Sequence, residues 1–331
     1  MMSFKKYIYA ALSILALLTF TSCSGTVPFL SSEPEPERNV LTNNVGDNGK
    51  VIAVKIDDTS FSHPQEGLID ADVIYVTQVE AGLTRVMAIY TDKYPELVGP
   101  VRSARISDID ILAQFGRVGF MYSGAQSKLR PVIEGANIVN LSAERNPPSI
   151  YITDPNRKQP YAMMVKINEL LPKAIDVENV KSIGWRHGEL SELAKPVTKA
   201  RVEWPNASYE MKWDEIESKF LLTFDGKPNF GAEGTQLGSN MMIIQKINIY
   251  PSEYGDKFGG VTPKNDVVGS GKAFMLRDGT VTELIWSRPT ADSPTRWTLL
   301  DETEAFFADG QVWIFLTDKE PTFTFPSAVA K

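Results

Sequence analysis

"DVIYVTQVEAGLTRVMAIYT" (residues 72–91) contains two runs rich in Val, Ile, Tyr and Thr, separated by Ala81-Gly82. Two such runs joined by a short turn that contains glycine are typical of a β-hairpin. The earlier stretch "VIAVKID" (residues 51–57) is almost wholly apolar, which predicts a strand buried on both faces. A β-sheet is therefore expected at the core of this part of the chain.

A helix is predicted after the hairpin, over residues 103–115, because apolar residues recur there at helical spacing. Further strands are predicted over 117–124, 137–141 and 149–153, and further helices over 125–135 and 161–171. This mixture of a hairpin and strand–helix–strand units predicts an α/β or α+β N-terminal domain with a mixed, layered sheet over residues 50–175.

The second half of the chain has a different pattern. Residues 176–206 are mostly polar and predict a connection between domains. Strand-like runs follow one another over residues 207–331, and Asp225-Gly226 and Asp278-Gly279 supply turn residues. We therefore expect a smaller, mainly-β C-terminal domain.

Residues 1–22 have the pattern of a bacterial lipoprotein signal peptide. Lys5 and Lys6 precede an apolar run over residues 7–20, which is too short to span a membrane comfortably. Small residues lead to Cys23, which receives a diacylglyceryl group in such signals. The pattern predicts a lipid anchor on the extracytoplasmic face of the cell membrane and a flexible tether over residues 23–49. The alternative is an ordinary cleaved signal with an incidental cysteine.

Composition argues against several functional classes. The chain has 331 residues, and its net charge of −7 argues against nucleic-acid binding. Cys23 is the only cysteine, so the rest of the chain has no thiol for a disulfide, a zinc site or a nucleophile. His63 and His187 have no metal-ligand spacing around them. We predict no cofactor, no metal site and no catalytic residue.

The arginines of the first half carry the strongest functional signal. Arg102 and Arg105 lie three residues apart at a predicted helix start, and Arg85 lies early in the second strand of the hairpin. Guanidinium groups recognise carboxylate or phosphate, and backbone N–H groups at a helix start favour the same anions. We predict an anion site in which Glu80 orients these cations beside two neutral donors. The predicted ligand-binding residues are Arg85, Arg102, Arg105, Glu80, Ser123 and Gln126.

Two alternatives use the same residues. In the first, Glu80, Asp108 or Asp57 pairs with the arginines, and the protein is a structural lipoprotein that binds a partner. In the second, Asp57, Asp58 and Glu80 hold a divalent cation beside the arginines. That arrangement would make a metal-assisted hydrolase or phosphotransferase that acts on an envelope polymer.

Three stretches resemble the YerB-type lipoprotein family, a domain-of-unknown-function family with distinct N- and C-terminal halves. They are "VKIDDTSFSHPQEGLIDADVIYVTQVEAGLTRVMAIY" (54–90), "VGPVRSAR" (98–105) and "GSGKAFMLRDGTVTELIWSRPTADSPTRW" (269–297). The resemblance implies the architecture and the membrane anchor, but no established reaction. Tyr122 and Tyr161 stand where members tend to have histidine, which favours binding over acid–base catalysis because tyrosine is a poor base at neutral pH.

These observations together predict a lipid-anchored extracytoplasmic binding or accessory protein. Its expected partners are the membrane and either a protein or an anionic envelope polymer, bound through phosphate or carboxylate groups.

Overall fold

The hairpin predicted at residues 72–91 is present in the computed structural model, which describes residues 35–256 and 259–327. The predicted signal peptide, Cys23 and the first part of the predicted tether lie outside the described residues.

In the first half of the sequence, the described residues form seven strands and three short α-helices. The strands are β1 (Ile52–Asp57), β2 (Val73–Gln78), β3 (Thr84–Tyr90), β4 (Val118–Met121), β5 (Ile138–Asn140), β6 (Tyr151–Thr153) and β7 (Met163–Val165). The helices are α1 (Ile106–Ala113), α2 (Arg130–Gly135) and α3 (Ile167–Leu170), and 3₁₀ turns lie at Leu68–Asp70, Glu80–Gly82, Ala143–Arg145 and Leu171–Lys173.

The second half is built from strands. They are β8 (Arg186–His187), β9 (Lys195–Pro196), β10 (Lys199–Trp204), β11 (Ala207–Asp214), β12 (Lys219–Phe224), β13 (Lys227–Pro228), β14 (Gly238–Ser239), β15 (Met241–Lys246), β16 (Asn248–Gly255), β17 (Val261–Asp266), β18 (Gly269–Arg277), β19 (Thr280–Arg288), β20 (Arg296–Leu299), β21 (Phe306–Phe307), β22 (Val312–Thr317) and β23 (Thr322–Thr324).

The largest sheet has eleven strands and combines both halves of the sequence. Its order is β20-β19-β18-β15-β22-β2-β3-β1-β4-β5, with β9 beside β19. The two halves meet where β22 pairs in parallel with β2, so that Val73 lies opposite Val312. The described residues from Pro36 onward accordingly belong to one compact unit, and one sheet continues across the predicted connection at residues 176–206.

Two hydrophobic cores cover the two faces of this sheet. A second sheet of six strands, β13-β12-β11-β10-β23 with β14 beside β12, packs on one face. That core includes Val54 of β1 and Tyr209 of β11. The other core packs Ala53 of β1 against Ile111 and Leu112 of α1. Alternate residues of β1 therefore enter different cores, which confirms the prediction of a strand buried on both faces.

The structure is strand-rich with mixed sheets, and an α/β layered N-terminal domain is not confirmed. The longest helix, α1, has eight residues and lies within the predicted range 103–115. No helix in the described part of the chain is long or apolar enough to cross a membrane. The helix predicted over 161–171 is wrong at its start, because residues 163–165 pair with β6 as strand β7. Tertiary pairing overrides the local helical pattern there.

The packed part of the chain begins earlier than residue 50. Asn39 is 1% exposed and Leu41 is fully buried, although both lie in the predicted tether. The Asn39 amide donates a hydrogen bond to Thr91 Oγ1 at 2.8 Å, and the Thr91 N–H and hydroxyl both donate to Asp72 Oδ2. In the predicted connection, Trp185 is likewise buried. The prediction of a solvated tether and connection is therefore corrected at these residues, because each has an apolar or hydrogen-bonding partner in the core.

Asp72 makes the stability of this N-terminal attachment depend on pH. Burial raises the pKa of Asp72 to about 6, although the hydrogen bonds from Thr91 act in the opposite direction. Because the folded pKa lies above the unfolded one, the protonated carboxyl stabilises the fold at low pH, and this contribution is lost as the pH rises through about 6. In the unchanged protein, this titration lowers the free energy of unfolding by up to about 3 kcal/mol between roughly pH 4 and 7. We expect Asp72→Asn to abolish that decrease.

The free energy of urea unfolding, measured across that pH range, checks this expectation. Asp176→Asn is the matched control, since Asp176 is exposed. If Asp72→Asn and the control keep the same pH dependence as the unchanged protein, Asp72 does not titrate in the proposed way.

Candidate functional site

Neighbouring strand ends bring charged side chains to one edge of the large sheet. β1 ends at Asp57, which lies opposite Arg85 in the antiparallel pair of β1 and β3. The turn between β2 and β3 begins with Glu80. The chain returns to this edge before α1, where Arg102 N–H donates to a carbonyl of β1 and Arg105 immediately precedes the helix.

These five charged residues line a single cleft of about 720 Å³. Polar side chains and one aromatic ring complete much of its wall, contributed by Thr59, Thr84, Ser103, Gln126, Ser127 and Tyr161. The cleft therefore presents guanidinium, hydroxyl and amide donors to one volume of solvent.

Arg105 and Glu80 form an ion pair through two contacts. Arg105 Nε lies 2.6 Å from Glu80 Oε1, and its Nη2 donates to Oε2 at 2.8 Å. Thr262 also donates a hydrogen bond to Glu80. Burial alone would raise the pKa of Glu80, but Arg105 and the Thr262 hydroxyl hold that pKa below its usual range. Glu80 therefore keeps Arg105 as a charged partner, and among the described residues it forms no ion pair with Arg85 or Arg102.

Arg102 is more accessible and more loosely held. Its side chain is 24% exposed, and its Nε lies 2.6 Å from Asp57 Oδ2 as a charge contact rather than an aligned hydrogen bond. Asp57 is also used by Thr59, whose N–H and hydroxyl donate to it at 2.9 and 2.6 Å. The Arg102 guanidinium carbon lies 5.7 Å from the ring centre of Tyr161. Within the described residues, the two terminal nitrogens of Arg102 make no hydrogen bond.

Arg85 is the cation without a carboxylate of its own. It is only 6% exposed, and Nη1 donates to Ser103 O at 2.7 Å. No ion pair joins it to a carboxylate in the part of the chain that the structure describes. Burial, together with the positive charges of Arg105 and Arg102, lowers the pKa of Arg85 to about 9. The group is still charged at neutral pH, and it is influenced by two guanidiniums and by the carboxylates of Glu80 and Asp57. Two further carboxylates, Glu144 and Asp256, also line the cleft.

The anion at the start of α1 belongs to the protein. Asp108 Oδ2 accepts the Arg105 N–H at 2.7 Å, and Asp108 Oδ1 lies 2.6 Å from Lys55 Nζ. Lys55 also donates to Thr77 Oγ1 at 3.0 Å, and both charged side chains are fully buried. The helix start is thus capped from within, and the arginines rather than its free amides face the cleft.

The two predicted neutral donors have different positions. Gln126 lines the cleft, whereas Ser123 is not among the lining residues and places its hydroxyl 3.4 Å from that of Ser103. Ser103 also lines the cleft but is not among the predicted ligand-binding residues. Its position between Arg102 and Arg105 in the sequence is the signal that could have identified it. Tyr161 reaches the cleft, and Tyr122, the other tyrosine at a histidine position, is buried, which raises its pKa.

The carboxylates of the metal alternative point into separate networks. Asp58 accepts hydrogen bonds from Thr84, Tyr209 and Gln65 at 2.6, 2.8 and 3.0 Å, and His63 Nε2 lies 3.2 Å away. Among the described residues, no group of three or more His, Cys, Asp or Glu is arranged to hold a metal ion. The geometry therefore does not favour a hydrolase built on Asp57, Asp58 and Glu80.

A second cleft, of about 590 Å³, lies beside Arg277. The guanidinium of Arg277 pairs with Asp278 and donates to the carbonyls of Gly188 and Phe306. Its donors are thus engaged by the protein, in contrast to those of Arg85 and Arg102.

The buried Lys55–Asp108 pair supports the whole site, because it ties β1 to α1. We expect Lys55→Met to lower the free energy of unfolding by about 3–5 kcal/mol, since it leaves a buried carboxylate without its cation. Urea unfolding measures the change, and Lys181→Met is the control, since Lys181 forms an exposed ion pair. Equal stability of the two variants would contradict this role for Lys55.

Two family models match the chain. The model described as "Protein of unknown function (DUF3048) N-terminal domain" matches residues 40–181, and the model of the C-terminal domain of the same family matches residues 200–314. The gap between them lies within the connection predicted at residues 176–206.

Known relatives agree with this assignment. "Putative lipoprotein YerB" of Bacillus subtilis (strain 168) is 43% identical over 54 residues, a match that spans 16% of this chain and only 16% of that relative's length. The crystal structure of YerB protein from Bacillus subtilis has a TM-score of 0.74 and covers 87% of this chain and 99% of its own, at 18% identity. That likeness shows the fold. With more than half of its residues matched by the two family models, the chain belongs to the DUF3048 family.

Proposed function

We propose that this protein is a lipid-anchored binding or accessory protein of the bacterial cell envelope, which holds an anionic group in the arginine-lined cleft. The ligand carries phosphate or carboxylate on an envelope polymer or a related molecule.

The observation that carries the proposal is the charge of Arg85. Three guanidiniums line the cleft, and among the described residues Asp57 pairs with Arg102 and Glu80 with Arg105, whereas Arg85 has no ion pair. Glu144, which also lines the cleft, pairs with Arg130. A buried cation without a paired carboxylate is costly unless an anion compensates it. A negatively charged ligand would supply that compensation at the place where Arg85 faces the cleft.

The remaining donors suit the same ligand. Arg102 pairs through Nε alone, so its terminal nitrogens offer the planar fork that recognises carboxylate and phosphate. Ser103 and Gln126 add neutral groups beside it. Glu80 keeps Arg105 in place without occupying Arg102 or Arg85.

The anchor rests on the N-terminal pattern and on the name of the relative. Residues 7–20 and Cys23 fit a lipoprotein signal, and the Bacillus subtilis relative is named as a lipoprotein. The cleft would then lie outside the cytoplasmic membrane, where anionic polymers of the envelope are within reach.

Arg102→Gln tests the binding function. We expect the affinity of the purified full-length protein for inorganic phosphate or citrate, measured by titration calorimetry, to fall by about 10- to 100-fold, because charged hydrogen bonds are lost. Arg145→Gln is the control, since Arg145 forms an exposed ion pair with Glu134.

The melting temperature separates this role from the structural alternative. Binding predicts that Arg102→Gln melts close to the unchanged protein, because Arg102 is partly exposed. If neither phosphate nor citrate binds the unchanged protein, or if Arg102→Gln binds both as well as Arg145→Gln does, the proposed function fails.

Cys23→Ser tests the anchor. We expect cells fed an alkyne analogue of palmitate to label the unchanged protein and not the Cys23→Ser variant, because Cys23 is the only cysteine available for acylation. Ser24→Ala serves as the control and keeps its label. A label that persists in Cys23→Ser would contradict the anchor.

A further inference from the structure

An exposed pair of stacked aromatic rings lies at the edge of the arginine cleft. Phe61 is 75% exposed, and its ring is stacked on Tyr161 with a centroid distance of 5.6 Å and an interplanar angle of 25°. Tyr161 lines the cleft, as does Thr59, two residues before Phe61. Leaving most of a phenyl ring in water forfeits its burial energy, so this position favours a role in contact with another molecule.

The loop that carries Phe61 is held in place by hydrogen bonds. The Ser62 hydroxyl donates to the carbonyls of Asp57 and Thr59, at 3.0 and 2.6 Å. Arg157 Nη1 donates to Ser62 O at 2.8 Å, and Arg157 Nε pairs with Asp154 on the segment that leads to Tyr161. One arginine thus ties both aromatic segments together, and the ring pair is organised before any ligand arrives.

The stacked Phe61–Tyr161 pair lies beside Arg102, one of the cations of the cleft. The Arg102 guanidinium carbon lies 5.7 Å from the centre of the Tyr161 ring, the same ring on which Phe61 stacks, so Tyr161 contacts both the cation and the exposed phenyl ring. The cleft wall nearby carries the hydroxyl or amide groups of Ser103, Thr59 and Gln126. A ligand with an apolar ring face, several hydroxyl groups and one acid group would use all three features.

We infer that the cleft binds an acidic sugar, a pyranose that carries phosphate or carboxylate, with its C–H face against the exposed ring of Phe61, which stacks on Tyr161, and its acid group at Arg102. Sugar C–H groups are weak hydrogen-bond donors and pack against the negative face of an aromatic ring. The neutral side chains of the wall pair with the ring hydroxyls. This inference rests on the proposed function and specifies the ligand class of the same site.

Titration calorimetry of the purified full-length protein tests the inference with four probes. Glucose 1-phosphate combines ring and anion, inorganic phosphate is the anion alone, glucose is the ring alone, and phenyl phosphate replaces the sugar with an aromatic ring. We expect glucose 1-phosphate to bind at least about tenfold more tightly than phosphate, phenyl phosphate and glucose.

Phe61→Ala is the decisive variant. We expect it to weaken glucose 1-phosphate binding by about three- to tenfold, to leave phosphate affinity unchanged and to keep the melting temperature. Phe325→Ala is the matched control, since Phe325 is also exposed and contacts a second ring, Phe323, but this partner ring, unlike Tyr161, does not line the cleft.

The outcomes separate this inference from the proposed function. Phosphate binding that depends on Arg102, without a preference for the sugar phosphate or without an effect of Phe61→Ala, overturns the acidic-sugar assignment and leaves the anion function standing. Tighter binding of phenyl phosphate than of glucose 1-phosphate also overturns it. If none of the anionic probes binds, the proposed function itself has failed.

Discussion

The buried ion pair between Lys55 and Asp108 is the interaction on which the site depends. Lys55 belongs to β1, at the centre of the first half of the large sheet, and Asp108 lies in the first turn of α1. Their fully buried contact, reinforced by Thr77, holds the helix start against the strand. Because Asp108 also caps Arg105 N–H, the same pair determines where the arginines emerge. The charged cleft is thus built on a strand–helix junction that a neutral pair of side chains would not orient in the same way.

The three arginines of the cleft differ in how completely the protein pairs them. Arg105 is committed to Glu80 through two contacts, whereas Arg102 has one contact to Asp57 and Arg85 has a backbone carbonyl. If all three arginines were paired with carboxylates, they would form a purely structural network, as in the alternative of a structural lipoprotein. The incomplete pairing leaves the terminal nitrogens of Arg102, which lines the cleft, without hydrogen bonds among the described residues.

Part of this arrangement was predictable from sequence, and part was not. The hairpin, the strand at residues 51–57 and the convergence of Arg85, Arg102 and Arg105 follow from local patterns, because each depends on spacing along the chain. The partners of the arginines cannot be predicted from the sequence. Asp57, Glu80 and Asp108 are equally plausible partners until the register of the strands is known. Nor can the stacked pair of Phe61 and Tyr161 be predicted, because the two residues are a hundred positions apart and the hydrogen bonds of Arg157 that join their segments depend on the tertiary structure. The sheet that the two halves share could not be predicted either, because parallel pairing of distant strands leaves no local signal in the sequence.

The parallel contact between β2 and β22 has a consequence for how the chain is made. While residues 312–317 are still to be synthesised, the outer side of β2 has no strand beside it, and the hydrogen-bonding groups of an apolar strand remain open. Such an edge is a template for pairing with other chains. Until residues 312–317 are available to pair with β2, the chain is therefore open to mispairing at this strand.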